Sequence, residues 1–380
     1  GGGAAAWQLT RMGIHVVLID AGPRFSPVKD YHLDQSNWEQ TFPHKHGSQG
    51  AYEVAQGQSL SNVPSDLRSW NHLRGRLVKG PVRQSFGYHH VRGVGGSSLH
   101  FTGEAHRLNP KSMRMHSDYG VAHDWPFSYA DLDPYWTLAE TMTGVAGPSQ
   151  DLRCPRSSAY PFKAHELSFA SQQMALGLKR LGMTYQPNSL AVLSEVADDR
   201  PKCNYCGGCL RGCQIGDKGS VDVTYLRHAA ATGRLTLLAD TEALTVETKS
   251  NSVRALVAMS KGKLTKIAGD YFILACGAIQ TPRLLLNSAN SASPDGLCNE
   301  SGHLGKNFME TLLWTSSGLS ENNWGAHRGL PVDWVSWDFN APNSIPGVIG
   351  GARFGPAQAE SDLVGPVAYA QRVVPGWGAV

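Results

Sequence analysis

Four cysteines lie within eleven residues of the chain, at the spacing C-x2-C-x2-C-x3-C: Cys203, Cys206, Cys209 and Cys213. This spacing places four thiolates within reach of one small centre and is typical of iron-sulfur ligands, although Gln214 stands where proline often follows. Glycines within the segment allow the backbone to fold tightly around a guest. An iron-sulfur cluster is the favoured interpretation. Disulfides, a zinc site and a loop that holds no metal are the alternatives, but zinc ligands are usually two pairs separated by a longer loop.

A second group of candidate residues lies where the chain begins, in GGGAAAWQLTRMG followed by IHVVLIDAGP. Read against G-x-G-x-x-G, Gly2 is the third glycine, and the amides that open a helix over 4–12 would face a pyrophosphate. The apolar run 14–19 predicts a buried parallel strand. Asp20 closes that strand, at the distance where an acidic side chain binds a ribose. The pattern predicts a dinucleotide site, with an ordinary βαβ turn as the alternative.

Size and composition limit the class of protein. A chain of 380 residues would normally form two domains. A net charge of +3 without basic clusters argues against nucleic-acid binding, and no apolar run is long enough to cross a membrane. Seven cysteines, an odd number, argue against a disulfide framework, so Cys154, Cys276 and Cys298 are interpreted as buried or idle thiols. The first residue is not Met, and we expect sequence to be missing at both ends.

Several elements must position these groups. Residues 23–80 lack periodicity and predict an excursion with short helices. Ser128 with Asp131 predicts a capped helix that buries Tyr135, Trp136, Leu138 and Ala139. A second helix over 168–181 would bury Ala170, Met174, Leu178 and Leu181, and a third would span 221–231.

Strand signals dominate the part of the chain that follows. LTLLAD, ALTVETKS, VRALVAMS and LTKIAG predict a small antiparallel sheet. The apolar run 270–276 predicts a strand buried on both faces. It leads into the small residues Gly277 and Ala278, and then into a helix with Pro282 in its first turn.

The motifs, taken together, resemble the glucose-methanol-choline flavin oxidoreductases. They are GGGAAAWQL with VVLIDAGP, RGVGGSSLHFTG, DWPFSYADLDPYW, and ACGAIQTPRLLLNSA followed by SGHLGKNFME, in the family's order and at similar spacing over nearly the whole chain. The resemblance implies an α/β fold, with a Rossmann-like FAD-binding domain and an additional α+β substrate domain built on an antiparallel sheet. We expect the first domain over 1–310, with a helix and the cysteine loop inserted at 150–230, and the start of the second over 311–380.

The resemblance implies FAD as cofactor. Its expected contacts are Gly1, Gly2, Asp20, Ala21, Gly22, Gly95, Gly96, Ser97, Ser98, His100, Val246, Ala275, Gly277 and Ala278. Ser97 and Ser98 could donate to phosphate or ring oxygens, with a plain turn as the alternative. Val246 would touch the adenine through its backbone. His100 is a candidate for a covalent flavin bond, for a noncovalent flavin or substrate contact, or for a buried structural histidine. The other nearby histidines, His89, His90 and His106, are expected to be loop residues.

Within this family, the cysteine-rich loop makes the chain resemble the large subunits of bacterial sugar dehydrogenases. The ligands of a three-iron cluster there, spaced C-x5-C-x3-C, map onto Cys203, Cys209 and Cys213, and the additional Cys206 favours a four-iron cluster. The implied reaction moves hydride from a sugar or glycoside carbinol to flavin N5, giving a ketone or lactone. Electrons would then pass through the cluster to a cytochrome or small-subunit partner.

The family's catalytic histidine pair lies near its C-terminus and has no counterpart here. No catalytic residue is therefore assigned, and we expect the chain alone to be inactive. An alcohol or sterol oxidase or dehydrogenase of the same family without a metal cluster is the first alternative. A noncatalytic electron-transfer module is the second.

Overall fold

The computed structural model describes residues 1–31, 91–209, 212–250, 252–309, 311, 320–325 and 328–356. The predictions for most of the 23–80 excursion, for His89 and His90, and for the end of the expected substrate domain lie outside these residues. The domain boundaries remain predictions. In the ranges described, every helix is too short or too polar to cross a bilayer.

The helices are short and separated by long connections. They are α1 (Gly2–Arg11), α2 (Pro27–Asp30), α3 (Met115–Tyr119), α4 (Tyr129–Thr143), α5 (Phe169–Arg180), α6 (Tyr225–Ala231) and α7 (Gly277–Asn287), with 3-10 turns at Gly96–Leu99 and Pro110–Arg114. The strands are β1 (Val16–Ile19), β2 (Ala146–Gly147), β3 (Phe162–Lys163), β4 (Gln186–Pro187), β5 (Leu235–Leu238), β6 (Thr241–Lys249), β7 (Ser252–Ser260), β8 (Lys263–Ile267) and β9 (Trp334–Val335).

The helix and the parallel strand predicted at the start of the chain are confirmed as α1 and β1, but the predicted burial of the strand is wrong, because none of its residues is buried and Val17 is 48% exposed. β1 pairs in parallel with β5, and α1 packs against α6. Trp7 meets Tyr225 edge-on, with ring centroids 5.7 Å apart. Ala6 and Leu226 share a core with Val94, which belongs to the segment before the GGSS loop. This packing fixes the N-terminus of α1 next to that loop.

The predicted antiparallel sheet forms from three of the four runs. β6, β7 and β8 pair in sequence order, and α7 packs on β6 through a core that includes Val246, Leu256 and Leu284. LTLLAD was expected in this sheet, but it supplies β5, the parallel partner of β1. That prediction was wrong because alternation of side chains identifies a strand without identifying its neighbour.

The strand predicted over 270–276 is not formed. The run is irregular, and Tyr271 is 93% exposed where burial on both faces was expected. A strand needs a neighbour to satisfy its N–H and C=O groups, and within the described ranges this run pairs with none.

The capping box of α4 is confirmed, but its predicted buried face is wrong. Ser128 Oγ accepts from the Asp131 N–H at 3.2 Å, and the Ser128 N–H donates to Asp131 Oδ2 at 2.8 Å. Tyr135 is 70% exposed, whereas Asp133 and Glu140 are buried. Trp136, Leu138 and Ala139 are not buried either.

The buried carboxylates of α4 are satisfied by two arginines. Arg107 Nε donates to Glu140 Oε1 at 2.8 Å and also pairs with Asp133. Arg156 Nη1 donates to Glu140 Oε1 at 2.8 Å. Because each buried charge has a partner, this face is packed by ion pairs and an apolar stripe is not required.

The α5 helix shows the same departure. Of its predicted stripe only Ala170 is buried, and Leu181 is 75% exposed. Ser171 lies at the buried side, where its hydroxyl donates to Asp333 at 2.5 Å. Polar contacts to the segment before β9 therefore orient this helix.

Candidate functional site

Three of the predicted cofactor segments converge at the start of α1. A Cβ added at Gly2 would lie 3.3 Å from the Ala275 Cβ, and one at Gly1 would lie 3.9 Å from it. Desolvation of the sulfur is the main cause that raises the pKa of the Cys276 thiol, although the residue as a whole is exposed, and the nearby charge of Asp20 acts in the same direction. The chain start, the end of β1 and the turn before α7 thus face one another.

Asp20 is placed to accept hydrogen bonds. Its Oδ1 accepts from the Gly22 N–H at 2.9 Å. Burial raises the pKa of Asp20 to about 6, and the guanidinium of Arg92 acts in the opposite direction. Arg92 itself pairs with Glu242 at 2.7 Å. A desolvated carboxylate with few protein donors gains by accepting hydroxyl hydrogen bonds, which is the role predicted for it toward a ribose.

The GGSS loop is tied to the Asp20 turn by close backbone contact. A Cβ at Gly22 would lie 2.1 Å from the carbonyl carbon of Arg92, so only glycine allows the two segments to pass. The Val94 N–H also donates to the Pro23 carbonyl at 3.0 Å. Ala21, between Asp20 and Gly22, is half-buried at this junction.

The GGSS loop itself leaves an open surface. Gly95 and Gly96 have φ values of +117° and +61°, and a Cβ at Gly96 would meet nothing within 4 Å. Ser97 is exposed. The Ser98 hydroxyl, in contrast, donates to the Gly95 carbonyl at 2.7 Å and accepts from the Val221 N–H at 3.0 Å. Its proton is therefore used within the loop, so the structure offers Ser97 as the available hydroxyl donor.

The remaining predicted contacts differ in their exposure. Ala275, Gly277 and Ala278 are exposed, and His100 is half-buried. Val246 is buried and its N–H donates to Ser288 Oγ at 2.8 Å. That amide is engaged within the fold, and a contact of Val246 with an adenine stays a prediction.

These residues fit a bound dinucleotide. The helix start offers backbone amides, Asp20 offers a carboxylate acceptor, and the GGSS loop and the 275–278 turn expose small residues at which a ring can approach closely. The arrangement can hold FAD by its pyrophosphate and ribose.

The cysteine loop has a different character. The Cys213 thiol donates to Asp217 Oδ1 at 2.5 Å, and burial raises its pKa to about 12. Cys203 also hydrogen-bonds Asp217, and burial with this carboxylate raises its pKa as well. Cys203 and Cys209 belong to one buried cluster with Leu190, Val192 and Leu330. Three of the four cysteines therefore lie in the protein interior or at its edge.

Cys206 departs from the predicted set of four ligands because it is exposed. The loop reverses before it, where Tyr205 has φ of +58° and the Asn204 side chain accepts from the Cys206 N–H at 3.2 Å. Within the described ranges, no three His, Cys, Asp or Glu side chains are placed to hold a metal ion. The four thiols therefore do not converge on one point in the described structure, and the Asp217 carboxylate lies beside the Cys203 and Cys213 thiols.

Sequence reasoning missed Lys218, which joins the two regions. This side chain is 1% exposed, and its Nζ donates to the carbonyls of Leu99 at 2.9 Å, Phe101 at 3.0 Å and Cys209 at 2.5 Å. One ammonium therefore connects the end of the GGSS loop to the cysteine loop. A lone lysine in GDKGS carries no sequence signal of burial.

The minor candidates are structural or exposed. His106 Nε2 lies 2.6 Å from Asn188 Oδ1, and burial lowers its pKa. Cys154 is buried and its thiol donates to the Leu108 carbonyl, while Cys276 and Cys298 are exposed.

The chain is similar to known dehydrogenases and to a solved structure of an oxidase. The fructose dehydrogenase large subunit of Gluconobacter japonicus is 29% identical over 81% of this chain and 56% of its own length. The gluconate 2-dehydrogenase flavoprotein of Pantoea cypripedii is 24% identical over 99% of this chain and 66% of its length. Pyridoxine 4-oxidase from Mesorbium loti, a solved structure, is 18% identical, with a TM-score of 0.47 over 76% of this chain and 50% of its own.

The chain spans about half to two thirds of the length of these curated relatives. The profile of the family described as GMC oxidoreductase matches residues 87–312, which is more than half of the chain. This match includes the GGSS loop, the cysteine loop, the antiparallel sheet and α7. The chain therefore belongs to the GMC oxidoreductases and carries their FAD-binding fold.

Proposed function

We propose that the protein containing this chain uses FAD to oxidise a hydroxyl group of a sugar or glycoside to a ketone or lactone. The observation that carries this proposal is the meeting of the α1 start, Asp20 and the 275–278 turn within a GMC chain. The names of two relatives, fructose dehydrogenase and gluconate 2-dehydrogenase, favour a sugar hydroxyl as the substrate group.

Each segment would have a separate task. Amides at Gly1 and Gly2 bind the pyrophosphate, and Asp20 orients the ribose by accepting its hydroxyl hydrogens. Gly96 leaves room for a planar ring, and Ser97 donates to it or to a phosphate oxygen. Bound FAD would supply the hydride acceptor for carbinol oxidation. The group that removes the hydroxyl proton is not assigned to any residue of this chain.

Absorption spectroscopy of the full-length protein tests this function. Protein purified gently and without oxygen should show flavin bands, and these should bleach on addition of a sugar substrate and recover with a dye acceptor. Aliphatic alcohols of similar size serve as the comparison. A colourless protein that does not take up added FAD would contradict the proposal.

We further propose that the cysteine loop holds an iron-sulfur cluster, which passes electrons singly to a cytochrome or small-subunit partner. The four-cysteine spacing supports this, and so does the enclosure of Cys203, Cys209 and Cys213. The Cys203 and Cys213 thiols are hydrogen-bonded to Asp217, so ligation requires these two thiols to lose their protons and to leave that carboxylate.

Iron and sulfide analysis with Cys206→Ser tests the cluster and its type. A four-iron cluster should lose iron in this variant, whereas a three-iron cluster on the other cysteines should keep it. Wild-type protein with flavin bands alone and no iron would instead support an FAD-dependent alcohol or sterol oxidase without a cluster. That alternative is favoured by the exposure of Cys206 and by the hydrogen bonds of the Cys203 and Cys213 thiols to Asp217.

A further inference from the structure

We propose that a cavity beside the cysteine loop binds a saccharide ring. The cavity has a volume of about 620 Å³ and is lined by side chains from three segments, which include Glu166, Phe169, Tyr205, Trp324 and Arg328. None of its lining residues belongs to the predicted flavin contacts or to the four cysteines. This volume lies in the range of small-molecule sites. The inference rests on the proposed function only in taking the substrate to be a sugar.

Tyr205 forms a rigid wall of the cavity. Its N–H donates to Cys203 Sγ at 3.3 Å, and its hydroxyl lies 3.1 Å from His165 Nδ1. His165 is held in turn by the Val192 carbonyl, 2.9 Å from Nε2. The backbone of Tyr205 adopts φ of +58°, a conformation that is costly for a residue with a bulky side chain and is concentrated at functional sites. Its ring nevertheless stays 41% exposed.

Two further aromatic rings line the same concave surface. Phe169 begins α5 and is 57% exposed, and Trp324 is half-buried. Exposed aromatic faces in a cavity mark ligand sites because a flat apolar ligand face can remove them from water. The C–H face of a sugar ring is such a surface, and so is the ring of a quinone.

The polar groups decide between these two ligands. The Glu166 carboxylate can only accept hydrogen bonds, and the Arg328 guanidinium can only donate them. Asn323 Oδ1 already accepts from the Gly325 N–H at 2.9 Å, which leaves its amide hydrogens to donate. Neighbouring sugar hydroxyls both donate and accept, so one ring can donate to Glu166 and accept from the Asn323 amide. Quinone oxygens only accept, so a quinone would make no hydrogen bond with Glu166.

Binding measurements on the full-length protein test this proposal. Calorimetry and tryptophan fluorescence follow titrations with D-glucose, D-fructose and maltose, and a soluble benzoquinone is the competing probe. We expect saccharide binding accompanied by a fluorescence change that Trp324→Phe removes. Glu166→Gln should weaken the binding about tenfold, the equivalent of one charged hydrogen bond. The matched controls are Glu195→Gln and Trp125→Phe, which change exposed residues outside the cavity.

The outcomes separate this inference from the proposed function. Saccharide binding that is unchanged in both cavity variants, no saccharide binding at all, or binding of the quinone alone would each overturn the inference. Flavin absorbance in the same samples reports the proposed function independently. A colourless protein whose cavity variants still lose saccharide binding would support the cavity and contradict the flavin chemistry. Sugar-dependent flavin bleaching, together with unaltered saccharide binding in the cavity variants, would support the flavin chemistry and contradict the cavity proposal.

Discussion

We call the predicted flavin site, formed by the α1 start, Asp20, the GGSS loop and the 275–278 turn, the flavin-facing surface. This surface and the cysteine loop are both glycine-rich, yet their polar groups are in opposite states. At the first, Asp20 accepts from one backbone N–H, Ser97 is exposed, and space remains beside Gly96. At the second, the Cys213 thiol donates to Asp217 and Cys203 accepts from the Tyr205 N–H. A site made of backbone and small residues exists before its ligand binds, whereas a thiolate site must first release protons.

Gly22 offers the strongest way to break the flavin-facing surface. Gly22→Ala places a methyl group 2.1 Å from the Arg92 carbonyl carbon, and the backbone on both sides must move. We expect a loss of about 3 kcal/mol or more in the free energy of unfolding, together with loss of flavin. Denaturant unfolding and flavin absorbance measure the two effects. Gly177→Ala is the control, because it adds a methyl group to a helix surface with nothing within 4 Å. Equal stability of the two variants would disprove the close contact.

Lys218 tests whether the two regions are mechanically joined. Lys218→Met removes the donor from three carbonyls, and we expect a loss of about 2–3 kcal/mol in the free energy of unfolding. Both flavin and iron content should fall together, since Leu99 and Cys209 lose the same partner. Lys266→Met, which breaks an exposed ion pair with Glu247, should change stability by less than about 1 kcal/mol. A variant that loses iron and keeps flavin would show that the two loops are independent.

The reactivity of the thiols sharpens the contrast at the cysteine loop. In protein without metal, iodoacetamide at neutral pH should modify the exposed Cys206 well before Cys203 and Cys213, because burial and Asp217 raise the pKa of both of these thiols. Mass spectrometry of the peptides over a time course measures the order. Modification of the loop cysteines at one common rate would contradict the described packing.

The sequence could predict features that are local or set by the backbone. The α1–β1 unit and the Ser128 capping box depend on neighbouring residues, and both are confirmed. The partner of β5 was missed because pairing depends on the distant β1. The buried side of α4 was missed because Asp133 and Glu140 form ion pairs with arginines elsewhere in the chain, and these pairs make burial of the two carboxylates possible.

The candidate site divides in the same way. Gly2 and Asp20 could be assigned from spacing within one unit, and the structure brings them to one surface with Ala275. Lys218 and the cavity at Tyr205 could not, because each depends on segments that are far apart in the sequence.

The smallest expected effect concerns the protonation of Asp20. In the folded protein without flavin its pKa is about 6, against an ordinary value of 3.8, so the folded state binds more protons between these values. Stability should therefore fall as the pH rises from about 4 to about 6 and stay reduced above that range. Thermal unfolding from pH 4 to 7.5 measures the slope. Asp20→Asn should flatten it, whereas the exposed Asp270→Asn should leave it unchanged.

Flavin should also flatten this slope if Asp20 binds the ribose. Hydroxyl donors stabilise the charged carboxylate and so lower its pKa toward the ordinary value, which removes the difference in bound protons between folded and unfolded states. Thermal unfolding of the same protein with and without FAD measures this change. A slope that is equally steep in both would mean that the carboxylate does not meet the cofactor. The flavin-facing surface would then resemble the cysteine loop, where the described side chains are not arranged to bind the predicted ligand.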